Sequence, residues 1–199
     1  MIEYEENLKN ELFDILQETV TIGLGKAASV IGEIVGSHVG LSTAKVYIAE
    51  KVKELPMSSE RVIIMSVSGD ILFGDTIFSM SDDQLIKIIK HIEGLEEIDV
   101  DNEEIIDIIS DSYQEIGNII LGNVISSMIN FFGVSANISV PYIANKDEMK
   151  ELTDKRLLVV DVVFNIEKLN ANGKLYLIND YDSYMKLIKL VYENFYGDE

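Results

Sequence analysis

Asp111-Ser112-Tyr113-Gln114-Glu115-Ile116-Gly117-Asn118 is followed, after a gap of 22 residues, by Pro141. Residues three and four apart share a helix face, so Asp111, Glu115, Asn118 and Gly122 line one stripe of a helix through this segment. Ile105, Ile109, Tyr113, Ile116, Ile120 and Val124 recur at helical spacing on another side and form the expected core-facing stripe. The polar stripe then faces outward. Asn is a weak helix former, and Gly117 and Gly122 each cost about 1 kcal/mol relative to Ala. A helix that accepts these costs is expected to need a close approach there.

The pattern occurs twice. Sliding the chain against itself by 97 residues aligns Asp14 with Asp111, Glu18 with Glu115, Gly25 with Gly122, Gly36 with Gly133 and Ser42 with Ser139. Ile22 and Leu24 fall on Ile119 and Leu121, and farther along Asp83 to Lys90 resembles Asp182 to Lys189 at an offset of 99. Each copy reads as a long helix, three strands and a shorter helix. In the first, the helix is predicted near Asn10 to Gly36 and strands over Ala44–Glu50, Arg61–Ser68 and Ile71–Ser79. In the second, the helix runs near Glu103 to Phe132, with strands near Asn137–Ile143, Arg156–Ile166 and Gly173–Ile178.

Ser68-Gly69-Asp70 and Asn172-Gly173 supply hairpin signals. The closing helices start after Ser81-Asp82-Asp83 and near Asp180 to Asp182, where Ser and Asp can cap exposed N–H groups. Glu93 to Glu104 holds seven acids in twelve residues and reads as a solvated linker. The repeats therefore span roughly 8–93 and 103–196 of one domain, 1–199. The expected class is α/β, of the α+β kind: a duplicated helix–three-strand–helix unit forming one antiparallel six-stranded sheet flanked by helices, with pseudo-two-fold symmetry.

Composition narrows the function. A formal charge of −19 with only 16 lysines and arginines argues against nucleic acid and against an anionic membrane surface. The absence of cysteine excludes disulfides and thiolate chemistry. The start, Met1-Ile2-Glu3-Tyr4-Glu5-Glu6, is acidic where a signal peptide is basic, so a cytoplasmic location is expected. Ile116 to Asn145 holds no charged residue, but Asn118, Asn123, Ser126, Ser127, Asn130 and Pro141 interrupt it; a buried helix and strand are expected there, with no membrane span.

Several motif-like signals lack their context. Gly23-Leu24-Gly25-Lys26-Ala27-Ala28 fits a loose dinucleotide fingerprint, yet the repeat puts it inside the first helix, and a phosphate loop ending at Gly25-Lys26 would begin at Val20. Asp99-Val100-Asp101-Asn102-Glu103 starts like a calcium loop, with Glu104 and Ser110 where Gly and Glu are required. His38 and His91 have no paired ligand spacing and are expected at the surface or at helix ends. Tyr184, Tyr192, Phe195 and Tyr196 are expected to pack the last helix.

An exposed Glu and Asn one turn apart are no nucleophile–base pair, and no Ser–His or Cys–His set stands elsewhere. The spacing D-x3-E-x2-N-x22-P resembles the signature of the CheC/CheX/FliY chemotaxis phosphatases, and a CheC-like resemblance covers nearly the whole chain. It implies a CheC-like fold and a substrate in the form of a CheY-type response regulator that carries an aspartyl phosphate, with Mg²⁺ and a Lys of its own beside it. Glu115 and Asn118 are then the catalytic pair: Asn118 orients a water, since its amide both donates and accepts, and Glu115 pairs with the regulator's Lys. Asp111, Gly122 and Pro141 support the motif. No metal or cofactor of this chain's own is implied.

In the first copy Asp14 and Glu18 are retained, while Thr21 answers Asn118 and Ala44 answers Pro141, which makes that site degenerate. The alternative is a non-enzymatic interaction protein that binds a response regulator or a CheD-like deamidase.

Overall fold

The computed structural model describes residues 2–49, 61–96, 103–145 and 157–196. In chain order these form α1 (Ile2–Val35), β1 (Val39–Leu41), β2 (Lys45–Ala49), β3 (Arg61–Gly69), β4 (Phe73–Ser79), α2 (Asp82–Glu93), α3 (Glu103–Phe132), β5 (Ala136–Ile138), β6 (Tyr142–Asn145), β7 (Leu157–Ile166), a short 3-10 turn (Glu167–Leu169), β8 (Ala171–Asp180) and α4 (Tyr181–Tyr196). Glu50, Arg156 and the calcium-like run at 99–102 lie outside the described residues, as does the middle of the acidic linker.

The two long helices stop by the same device. Gly36 and Gly133 take left-handed φ values of 59° and 62°. The next N–H then turns back onto the helix, Ser37 to the Gly32 carbonyl at 3.1 Å and Val134 to the Ile129 carbonyl at 3.2 Å. Each pair of equivalents is separated by the same offset of 97.

Among the described residues all strands join one antiparallel sheet, in which β1 and β2 lie end to end along β7, and β5 and β6 lie end to end along β3. The eight strands therefore fill six lanes, β1/β2–β7–β8–β4–β3–β5/β6, with each outer lane broken in two. The two copies exchange strands: β1 and β2 of the first pair with β7 of the second, and β5 and β6 of the second pair with β3 of the first. In the central pair Ile77 faces Tyr176, its own equivalent at the offset of 99, so the pseudo-two-fold axis passes between them.

The core fills the space between the sheet and helices α1 and α3. Ile109, Tyr113, Ile116, Ile120 and Val124 are buried, as the spacing predicts, and Leu121, Ile125 and Met128 extend the buried arc. The arc is wide because α3 meets both the sheet and α1. By length and composition Ile105–Phe132 could cross a membrane, yet half of its most apolar window is buried inside the fold. The reverse face of the sheet carries a second cluster of Val62, Ile64, Ile77, Val159, Tyr176 and Ile178. On that face Lys45, Asp161 and Tyr176 lie side by side across β2, β7 and β8. Burial pushes the Asp161 carboxyl up, against the pull of Lys174 and Lys45, and one of its oxygens has no hydrogen-bond partner.

Four local expectations are corrected. Asn172-Gly173 is no turn: both residues sit inside β8, opposite Asn165 and Phe164, and the chain reverses at Glu167–Asn170, where Asn170 takes φ 47°. Gly173 is small for a packing reason, because a Cβ there would run into the Phe164 ring. The first hairpin is wider than Ser68-Gly69-Asp70, since β3 continues through Gly69 and β4 starts at Phe73, with Leu72 buried between them. Ser81 occupies the cap position of α2, but its carbonyl, not its hydroxyl, takes the N–H groups of Gln84 and Leu85. Tyr192, expected to pack, is 37% exposed, and the side chains of Tyr184, Phe195 and Tyr196 lie outside the described ones.

Candidate active site on helix α3

Two contacts fix the height and the face of α3. The buried hydroxyl of Tyr113 donates to the Arg61 carbonyl at 3.2 Å and accepts from the Met80 N–H at 3.4 Å, which ties the helix to the start of β3 and the end of β4. Burial raises its pKa to about 12; the Asp82 charge adds to that, while the Met80 contact and Arg61 act the other way. One turn on, the bare Cα of Gly117 rests on Ile63 of β3, where a Cβ would come within 2.5 Å of the Ile63 Cδ1. This is the close approach that the helix-weakening glycine predicts.

With Tyr113 and Gly117 turned inward, Asp111, Glu115 and Asn118 are all exposed on the outer stripe, and Gly122 is half-buried at its end. Among the described residues the Asn118 carboxamide takes no hydrogen bond. Asn123, on the same helix, instead spends its amide on the Ile119 carbonyl at 2.8 Å. A Cβ at Gly122 would meet nothing nearer than the Asn118 Oδ1 at 3.9 Å, so the helix surface beside Asn118 is open.

Pro141 stands apart from this stripe, on the edge lane. Ser139 is opposite Ser66, and Tyr142 is opposite Ile64, so Val140 and Pro141 together oppose Met65 alone. That is a β-bulge, a place where a strand tolerates the missing N–H of proline. Ser139 clamps it: its N–H donates to the Ser66 carbonyl and its Oγ accepts the Ser66 N–H, both at 2.9 Å. The bulge leaves Val140 82% exposed. The motif is thus gathered around β3, with Gly117 resting on Ile63 and the bulge two residues farther along and one strand over.

The first copy repeats the frame. Ser42 donates its N–H to the Val163 carbonyl at 2.8 Å and accepts the Val163 N–H on Oγ at 2.9 Å. Leu41 is opposite Phe164 and Lys45 opposite Asp161, so Thr43 and Ala44 form the matching bulge. Asp14, Glu18 and Thr21 are exposed on α1, but the Thr21 hydroxyl donates to the Gln17 carbonyl at 2.6 Å. The spacing predicts a strand near Asn137–Ile143, and the repeat marks Ser139, but neither reveals the bulge or the exposure of Val140. The signals were present, as a proline inside a strand marks a bulge or an edge, and Ser42 recurs as Ser139.

On chemistry alone the stripe offers a carboxylate for a cation and, one turn on, an amide able to hold a water by both its donor and its acceptor. It offers no nucleophile.

Residues 61–162, just over half of the chain, match the model of the family described as chemotaxis phosphatase CheX. The chain is 22% identical to the CheY-P phosphatase CheC of Bacillus subtilis (strain 168), over 90% of this chain and 93% of that protein. Among solved structures, Thermotoga maritima FliY superposes with a TM-score of 0.64 at 24% identity, covering 95% of this chain and 98% of FliY. CheX from Borrelia burgdorferi, in its complex with CheY, BeF3 and Mg²⁺, does so with a TM-score of 0.59 at 18% identity, covering 80% and 96%. The family match, together with the fold likeness to these structures, makes this chain a member of the CheC/CheX/FliY family of chemotaxis phosphatases.

Proposed function

We propose that this protein hydrolyses the aspartyl phosphate of a phosphorylated CheY-type response regulator in the cytoplasm, and that the α3 stripe does the work. The observation that carries the reading is the exposed Asn118 carboxamide, unengaged among the described residues and one turn beyond Glu115. Asn118 holds a water in line with the bond between phosphorus and the aspartyl oxygen. The water oxygen attacks phosphorus, the carboxylate leaves with the bonding electron pair, and inorganic phosphate departs with the water's oxygen. Glu115 meets the regulator's Lys and sets the alignment, a contribution to register more than to affinity.

The charge-stabilising Mg²⁺ belongs to the regulator, and this chain contributes neither nucleophile nor metal ligand. A relative named a CheY-P phosphatase and a fold neighbour solved with CheY support the choice of substrate. Asp111 and Gly122 keep the approach open and polar, and Pro141 fixes the bulge. On α1, Asp14 and Glu18 remain beside a Thr21 that cannot do what an amide does, and that stripe is inactive.

The test mixes catalytic amounts of the protein with phosphorylated receiver domains and follows phosphate release. A shortened phosphate lifetime, dependent on Mg²⁺ through the regulator, is the expected result. Complex formation with an unchanged lifetime, or binding to a CheD-like deamidase instead, would hand the site to the non-enzymatic reading.

A further inference from the structure

Away from α3, the end of α2 and the 3-10 turn enclose an open cleft of about 470 Å³ lined by Lys87, Lys90, His91, Lys168, Leu95 and Leu169. Three of the 16 basic residues of a chain with 35 acids meet there. Among the described residues, no carboxylate lies within ion-pairing distance of Lys87, Lys90 or Lys168. Cations in the last turn of α2 offset the negative end of the helix dipole, which accounts for Lys90 and His91. It does not account for Lys87, a turn earlier, or for Lys168, which comes from another element.

Hydrogen-bond direction gives the second observation. The His91 Nε2 lies 2.7 Å from the Val35 carbonyl, which can only accept, so Nε2 carries the proton. The Lys168 Nζ stands 3.5 Å from that same nitrogen, which has no lone pair left to receive it. The Nε2 proton is taken by Val35, so the Lys168 ammonium beside it cannot donate to the ring and turns to an acceptor from outside, for which an anionic oxygen is the strongest. The frame is preset: the Lys168 N–H donates to the Ser37 Oγ at 3.1 Å, the Glu167 N–H to the His38 carbonyl at 3.2 Å, and the Leu95 N–H to the Lys90 carbonyl at 2.9 Å.

We propose that this cleft binds a phosphate dianion carried on a small molecule, its oxygens held by Lys87, Lys90 and Lys168 and its body resting on Leu95 and Leu169. The cleft is open to solvent, and the net charge of −19 sets a repulsive background for any anion, so recognition there is local and rests on the three lysines. The site is independent of the chemistry on α3.

Calorimetric titration of the full chain with adenosine 5′-monophosphate, inorganic phosphate and adenosine tests it. The monophosphate and inorganic phosphate bind, adenosine does not, and added salt weakens both anions. A monophosphate that binds more tightly than inorganic phosphate supports a phosphoester whose body rests on Leu95 and Leu169, and equal affinities overturn that part of the proposal. Lys87→Ala and Lys168→Ala, both at exposed positions, each weaken binding ~10-fold, and the double variant loses it while unfolding at the parent temperature. Adenosine that binds as tightly as the monophosphate, a double variant with parent affinity, or no heat from either anion at millimolar concentration overturns the proposal.

Discussion

On α1 the hydroxyl of Thr21 is spent on the Gln17 carbonyl of its own helix; on α3 the equivalent carboxamide, Asn118, is exposed and takes no hydrogen bond among the described residues. The two helices otherwise share their length class, their glycine terminators and the serine clamp at the bulge that follows. The differences between them form a pattern. Tyr113 and Gly117, which seat α3 on the sheet, are answered by Leu16 and Val20, and the Val140-Pro141 bulge by Thr43-Ala44. What the scaffold requires is kept in both copies, whereas the open amide and the residues that seat it occur once.

Substitution tests this contrast most sharply at its extremes. Asn118→Ala is expected to lower phosphate release from a phosphorylated regulator on the order of 10²-fold without changing the unfolding temperature. Thr21→Ala should leave the rate alone, and equal losses from both would end the one-site description. Thr21→Asn in the Asn118→Ala background asks whether the amide alone is missing. Adding Ala44→Pro is riskier than the sequence suggests, since Ala44 is only 3% exposed and the ring needs room.

The next effect is on stability. Gly117→Ala forces a Cβ into Ile63 and should cost about 1–3 kcal/mol in chemical denaturation. Gly25→Ala on α1, where a Cβ meets nothing within 4 Å, should gain up to ~1 kcal/mol from helix propensity. A stabilising Gly117→Ala would mean that the seat of α3 on β3 is looser than described. Glu115→Ala comes third, with activity and regulator affinity falling together by ~5-fold, the scale of one exposed ion pair; Glu18→Ala on α1 should change neither.

The smallest effect concerns the reverse face, where Asp161 occupies the position that Ile64 holds in the other copy. Its folded pKa is raised, so the ionised carboxylate opposes folding above that pKa, and the cost disappears once pH falls below the ordinary value of 3.8. Asp161→Asn should therefore raise the melting temperature at pH 7, with the gain shrinking through the acid range. A gain that persists undiminished in acid would assign it to something other than charge.

Much of this was legible in the residues because periodicity and duplication are local. The two stripes of α3 follow from spacing, and the glycines at 36 and 133 announce the helix ends. The pairing of strands is not local: nothing in Lys45–Ala49 says that its neighbour is Leu157–Asp161 rather than a strand of its own copy. Asn172-Gly173 misled for the same reason, since the demand for a glycine came from a ring across the hairpin, Phe164, and not from the turn. The exposure of Val140 and the self-satisfied hydroxyl of Thr21 depend on three-dimensional placement that composition cannot express.

The exchange of strands also has a consequence in time. Ser42 and Val163, joined by two hydrogen bonds, are 121 residues apart in the chain. As the polypeptide leaves the ribosome, α1 and the broken lane behind it are complete long before β7 exists to receive them, and the finished first copy has its β3–β4 hairpin but no partner for β1 and β2. Long-range pairing of this kind slows folding, because loop entropy is lost before contacts repay it. It also binds the copies to a common fate: neither can be deleted or replaced without stripping an edge from the other, so a half without the amide is still needed for its strands.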